Sequence, residues 1–158
     1  MNLKMKLMRT TSHIPVFKTK GAAGADLYAD LYGMVNDKGE HLAPNGEFIL
    51  MPGAIVKIPV GVAVELEPGY VMYVVGRSGN NLKGLEVLMG TIDEDYRGEI
   101  HVIVKNTTRA AITIYQSDRI AQATIHKVEN IASGITLEVV DELTPTERGE
   151  AGFGHTGI

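Results

Sequence analysis

The chain has 158 residues, 44% of them hydrophobic, with 15 Lys and Arg against 19 Asp and Glu for a formal net charge of -4, and it has no Cys. That length supports one domain with a real core rather than two, and the missing Cys exclude a disulfide framework and a thiolate metal site. No Lys/Arg stripe interleaved with aromatics marks a polynucleotide binder, which leaves room for a small anionic ligand held by a few Arg. Apolar runs are short, with no membrane-length stretch and no apolar leader, so the expected location is the cytoplasm, without membrane association.

In chain order, Leu3, Met5 and Leu7 alternate with Asn2, Lys4 and Lys6, the period of a half-buried strand. AGADLYA at 23–29 delivers Asp26 from a small-residue turn. Residues 32–46, YGMVNDKGEHLAPNG, are dense in Gly, Asn and Pro and read as a surface loop or loose hairpin, the first candidate for internal disorder. From 47 to 75 short strands follow closely: EFILM, AIVKIP, VGVAVEL and YVMYVV, with Pro52-Gly53 and Pro68-Gly69 as turns. This spacing predicts a sandwich or barrel. GRSGNNLKG at 76–84 is the one good place for a short helix, with Ser78 as its cap. A hairpin of 85–92 with 100–104 comes next, then strand, turn and strand over 111–128, and a last strand at 133–143, SGITLEVVDEL.

GTIDEDYRGE at 90–99 puts Asp93, Glu94 and Asp95 beside Tyr96 in the turn of that hairpin. An apolar strand gives clustered acids the rigid support a catalytic carboxylate needs, although a solvated hairpin tip has the same composition. Arg77-Ser78, where a strand breaks into a helical turn, suits an anion or is an ordinary cap. Gln122, inside the apolar IAQATI, needs a partner if it faces inward. Gly152 to Gly157 formally match G-x-G-x-x-G without the strand and helix that a dinucleotide fold requires. What remains is a run of small residues able to wrap phosphate, with Arg148 as a forked cation and Phe153 free to stack on a flat ligand, or else a frayed tail. The five His show no metal-ligand spacing.

The order of these stretches resembles the five motifs of the trimeric deoxyuridine triphosphatases (dUTPases): AGADLYA, GRSG, GTIDEDYRGE, SDRIAQ and RGEAGFGHTG, spanning residues 23–157. The resemblance implies an all-β, jelly-roll-like barrel with one short helix over 1–144 and a flexible tail at 145–158. It also implies a homotrimer whose active sites are shared between subunits and closed by the tail. The implied reaction is hydrolysis of dUTP to dUMP and pyrophosphate with Mg²⁺. Asp93 would activate the attacking water and Tyr96 would pack under the deoxyribose. Arg77, Ser78, Gly79, Gln122 and Arg148 would hold phosphates, Phe153 would cover the uracil, and Gly154, His155 and Thr156 would contact the phosphate chain. Asp26 would face the metal through water.

The chain departs from the family pattern at Gly76, Ser117 and Ala151, where Pro, Gly and Gly are usual. Val87 falls where the family often has a polar residue beside the uracil pocket. The related dCTP deaminases place a Glu in the strand after the hairpin, where this chain has Ile103, which argues against deamination. A non-catalytic nucleotide- or protein-binding regulator is the remaining alternative.

Overall fold

The structure is a computed structural model and describes residues 2–150. Eleven strands are described, with one α-helix and one 3-10 turn (Leu31–Gly33). They are β1 (Lys4–Leu7), β2 (Gly24–Tyr28), β3 (Glu47–Leu50), β4 (Ile55–Pro59), β5 (Val62–Glu65), β6 (Tyr70–Val75), β7 (Leu85–Leu88), β8 (Gly90–Ile92), β9 (His101–Asn106), β10 (Ile112–Tyr115) and β11 (Arg119–Lys127), with α1 at Ser78–Leu82. The all-β, jelly-roll-like fold with one short helix is as expected. The strands form four antiparallel sheets, β2-β11-β6-β8, β4-β9-β7, β1-β5 and β10-β3, rather than one ladder closed on itself.

Period-two patterning explains the shared core. In β9, Val102, Val104 and Asn106 point inward while Ile103 points out. Leu27, Leu50, Ile58, Val62, Val74, Ile114 and Ile120 join them from other strands, and Ile100 from just before β9, all essentially inaccessible. Each such side chain contributes about 1.5–3 kcal/mol of transfer free energy. Asn106 is buried at no cost in lost hydrogen bonds: its amide donates to the carbonyls of Leu50 (2.9 Å) and Ala110 (2.8 Å), and its Oδ1 accepts from Thr108 N (2.9 Å).

Three of four local expectations change. The apolar run 85–92 is not one hairpin arm. It divides at Met89, β7 pairing with β9 and β8 with β6, where Gly90 lies opposite Val74. Residues 133–143 form no strand: their apolar alternation, Ile135, Leu137 and Val139, is exposed, and no sheet edge within the chain pairs with it. Arg77, not Ser78, occupies the helix cap position, and no side chain caps it. Residues 32–46 form a loose hairpin, bridged at Val35 and His41 and anchored by buried Met34 and Ala43.

Candidate functional site

Two groups of candidate residues lie on opposite ends of β6. At its C-terminal end, Asp26 of β2, Arg77, Ser78 and Gly79 at the start of α1, and Gln122 of β11 line one depression, together with Lys18. The topology brings them together because β11 pairs with both β2 and β6, setting Gln122 opposite Asp26 on one side and Val75 on the other.

Asp26 is nearly buried, and its carboxylate lies between two guanidiniums: Arg77 Nε is 2.9 Å from Oδ1 and Arg119 Nη1 is 3.1 Å from Oδ2. Arg77 is held a second time, its Nη1 donating to the Arg119 carbonyl at 3.1 Å, which also accepts from Asn80 Nδ2 at 2.8 Å. With one edge gripped by Asp26 and one nitrogen by a carbonyl, Arg77 keeps its remaining N–H donors for the depression. Gln122 Nε2 donates to Gly76 O at 3.0 Å, the partner that an inward Gln requires. A side chain at position 24 would press on Gln122 Oε1 at 2.9 Å, so the Gly of AGADLYA makes room for that amide.

Arg119 reaches this place through the turn at Tyr115–Asp118. Ser117, standing where a Gly would be free to do so, takes a left-handed backbone (φ 69°), a conformation that costs a non-Gly residue about 1–2 kcal/mol. Its amide donates to Ala29 O at 2.9 Å and its hydroxyl meets His13 Nε2 at 2.7 Å, which hold the turn in place. Gly76, where Pro was the usual residue, leaves space that the Asn81 side chain fills.

At the other end of β6, Ile92 pairs with Met72, which carries Asp93 beyond Val71. Asp93 is exposed and lines a second depression with Tyr73, Thr91 and Asp95. Two of the three acids differ in situation. Glu94 accepts from Gly69 N and pins the turn to the β5–β6 connection, whereas the Asp93 carboxylate has no hydrogen-bond partner among the described residues and stays available. The Tyr96 hydroxyl donates to Glu99 O at 3.0 Å, and the ring lies so close over Gly98 that any Cβ there would collide with it. Val87 packs against the core opposite Val104.

From Val71 to Arg77 the chain climbs about six residue rises, or roughly 20 Å. The structure therefore does not bring Asp93 and Tyr96 of one chain together with its own Arg77, Ser78, Gly79, Gln122 and Asp26. Arg148 is exposed, while Phe153, Gly154, His155, Thr156 and the departure at Ala151 lie outside the described residues.

A buried polar network was not legible in the sequence. Asp30 accepts from Arg9 Nε (2.9 Å), Ser12 Oγ (2.8 Å) and Thr11 Oγ1 (2.8 Å), while Arg9 also forms a forked pair with Glu99. Burial alone would raise the Asp30 pKa; the Ser12 and Thr11 hydroxyls and Arg9 outweigh it and hold the carboxyl below the usual carboxylate range. Because Glu99 closes the GTIDEDYRGE turn and also accepts from Gly61 N at 2.8 Å, this network fixes the base of the loop that carries Asp93. An Asp just past the strand of AGADLYAD was the available signal.

For a divalent cation, no group of three or more His, Asp or Glu among the described residues could form a cage. Two of the roughly four lone-pair sites of the Asp26 carboxylate are taken by guanidiniums, leaving sites for metal-bound water. The donor set thus fits Mg²⁺ held by phosphate oxygens and water, with Asp26 in its outer sphere.

The dUTPase family model matches residues 36–157. The deoxyuridine 5'-triphosphate nucleotidohydrolase of Caldanaerobacter subterraneus subsp. tengcongensis is 38% identical over 165 aligned residues, covering 100% of both chains. That of Desulfotalea psychrophila is 42% identical over 151 residues, covering 94% of this chain and 89% of its own. Among solved structures, the Staphylococcus bacteriophage 80alpha dUTPase with dUPNHPP superposes with a TM-score of 0.83 at 25% identity, over 99% of each chain.

Proposed function

Since this chain belongs to the dUTPase family, whose activity is hydrolysis of dUTP, we propose that it cleaves dUTP to dUMP and pyrophosphate by attack of an Asp93-activated water on the α-phosphorus. The observation that carries this reading is the doubly held Arg77, fixed by Asp26 and by the Arg119 carbonyl beside Ser78 and Gln122. That is a prepared seat for phosphate oxygens, and fixing it before substrate arrives removes ordering cost from the reaction.

In this mechanism Asp93, exposed and without a partner among the described residues, accepts a proton from water as the new P–O bond forms. The bridging oxygen between the α- and β-phosphates leaves with the pyrophosphate. Arg77, Ser78, Gly79 and Gln122 hold the phosphate chain. Arg148, Phe153, Gly154, His155 and Thr156 close over it as the tail at 145–158 folds across the barrel of 1–144, with Phe153 covering the uracil. Tyr96, braced on Gly98, packs under the deoxyribose and excludes a 2′-hydroxyl. Mg²⁺ bound with the triphosphate would be faced by Asp26 through water and would supply charge neutralisation and alignment of the phosphates.

Because the two halves of the site sit roughly 20 Å apart along β6, Asp93 and Tyr96 of one subunit work on a substrate held by Arg77 and Gln122 of another. A homotrimer with shared sites meets that need, and the unpaired apolar alternation at 133–143 is suited to pair with a neighbouring copy. The product dUMP would feed thymidylate synthesis while uracil is kept out of DNA. The place of action would be the cytoplasm; no described helix is long and apolar enough to cross a membrane.

Subunit mixing tests both points. Asp93→Asn and Arg77→Ala homo-oligomers should each release almost no pyrophosphate from dUTP, and co-refolded hybrids should regain a fraction of wild-type turnover. Hybrids as inactive as their parents would sink the shared site. Wild-type release of pyrophosphate from dUTP, but not from dCTP, dTTP or UTP, tests the substrate.

A further inference from the structure

Lys18 lines the same depression as Asp26, Arg77, Ser78 and Gln122. No motif of the sequence includes it. Its ammonium donates to the Tyr28 hydroxyl at 3.2 Å and lies 5.9 Å from the centre of the Tyr28 ring. That ring is backed by His13, centroid to centroid 5.1 Å, and Tyr28 is the residue that pairs with Arg119 across the β2–β11 ladder. Lys18 is exposed, and its ammonium meets Tyr28 at the rim of the depression.

Charge makes this position informative. Asp26 is already matched by Arg119 and shared with Arg77, so the depression carries a positive surplus to which Lys18 adds, and no carboxylate among the described residues forms an ion pair with its ammonium. A neutral phenol is a weak tether. A phosphate oxygen offers a charge-assisted bond about twice as strong, so the ammonium moves from Tyr28 to an anion without breaking an ion pair. A Lys suits this task because its three donors rotate on a mobile stem, following a group whose charge changes during reaction.

We infer that Lys18 is a further substrate-binding residue, contacting the two phosphates that leave as pyrophosphate, with Tyr28 as its resting post. This rests on the reading of the depression as the phosphate seat. The α-phosphorus must face Asp93, which comes from elsewhere, so the depression itself receives the rest of the chain. The added charge of the departing pyrophosphate is met by a cation already at the rim.

The test is equilibrium binding of three probes to the wild-type, Lys18→Ala and Lys18→Arg full chains: inorganic pyrophosphate, dUMP and the non-hydrolysable α,β-imido analogue of dUTP. Lys18→Ala should weaken pyrophosphate and the imido analogue about three- to thirtyfold, between the worth of an exposed ion pair and that of a charged hydrogen bond. It should leave dUMP within twofold, and Lys18→Arg should stay within about threefold of wild type. The salt dependence of pyrophosphate binding should flatten in Lys18→Ala alone. Unchanged pyrophosphate affinity in Lys18→Ala overturns the inference, as does an equal loss for dUMP. A wild-type chain that binds pyrophosphate through Lys18 yet turns over no dUTP would overturn the proposed reaction and keep the subsite.

Discussion

Arg77 Nε lies 2.9 Å from Asp26 Oδ1, an ion pair that joins the second motif to the first at the depression proposed to seat phosphate. Asp26→Asn keeps the size of the side chain but leaves Arg77 and Arg119 facing each other without the charge between them. The expected result is a rise in KM for dUTP of tenfold or more, with a loss of about 1–3 kcal/mol in unfolding free energy. Kinetics and denaturant unfolding on the same preparation check it, and an unchanged KM would mean that Arg77 is aimed by the Arg119 carbonyl alone.

Asp93→Asn removes the base but no packing, since the carboxylate is exposed and has no hydrogen-bond partner among the described residues. Turnover should fall by roughly 10² to 10⁴, the usual worth of a positioned general base, while nucleotide affinity and melting temperature hold. A variant that keeps most of its rate would remove Asp93 from the chemistry.

Gly98→Ala puts a methyl where the Tyr96 hydroxyl and ring edge lie. The ring must shift, and with it the barrier to a 2′-hydroxyl. The preference for dUTP over UTP in kcat/KM should shrink by about tenfold, the scale at which a pocket feels one carbon. A ratio equal to wild type would show that sugar selection lies elsewhere.

Asp30 makes acid sensitivity a property of the fold. Its folded-state pKa is lowered by Ser12, Thr11 and Arg9 against the opposing effect of burial. The stabilisation is therefore fully present above the ordinary carboxylate pKa and is lost as the pH falls through the lower folded value. Asp30→Ala should cost about 2–3 kcal/mol at neutral pH, somewhat less than a fully buried pair because Arg9 is partly exposed. Its stability should also vary less than that of wild type between pH 5 and 3. An identical acid profile in both chains would place the acid-labile group elsewhere.

Much of this protein was determined by local sequence. Period-two runs separated by Pro-Gly turns set an all-β fold, because alternation buries one face of each strand whatever the strand pairs with. GRSG, GTIDEDYRGE and SDRIAQ announced the family to which the chain belongs. Pairing was decided only in three dimensions. The run at 85–92 reads as one arm, but the crossing at Gly90 gives its halves to different sheets. The alternation at 133–143 reads as a strand, but a strand exists only where an edge receives its hydrogen bonds, and no strand of the described residues pairs with it. The Arg9–Asp30–Glu99 network and the grip of Arg119 on Arg77 join residues up to 90 positions apart. Such contacts leave no periodic trace, because they follow from where sheets meet rather than from the order of residues along any one of them.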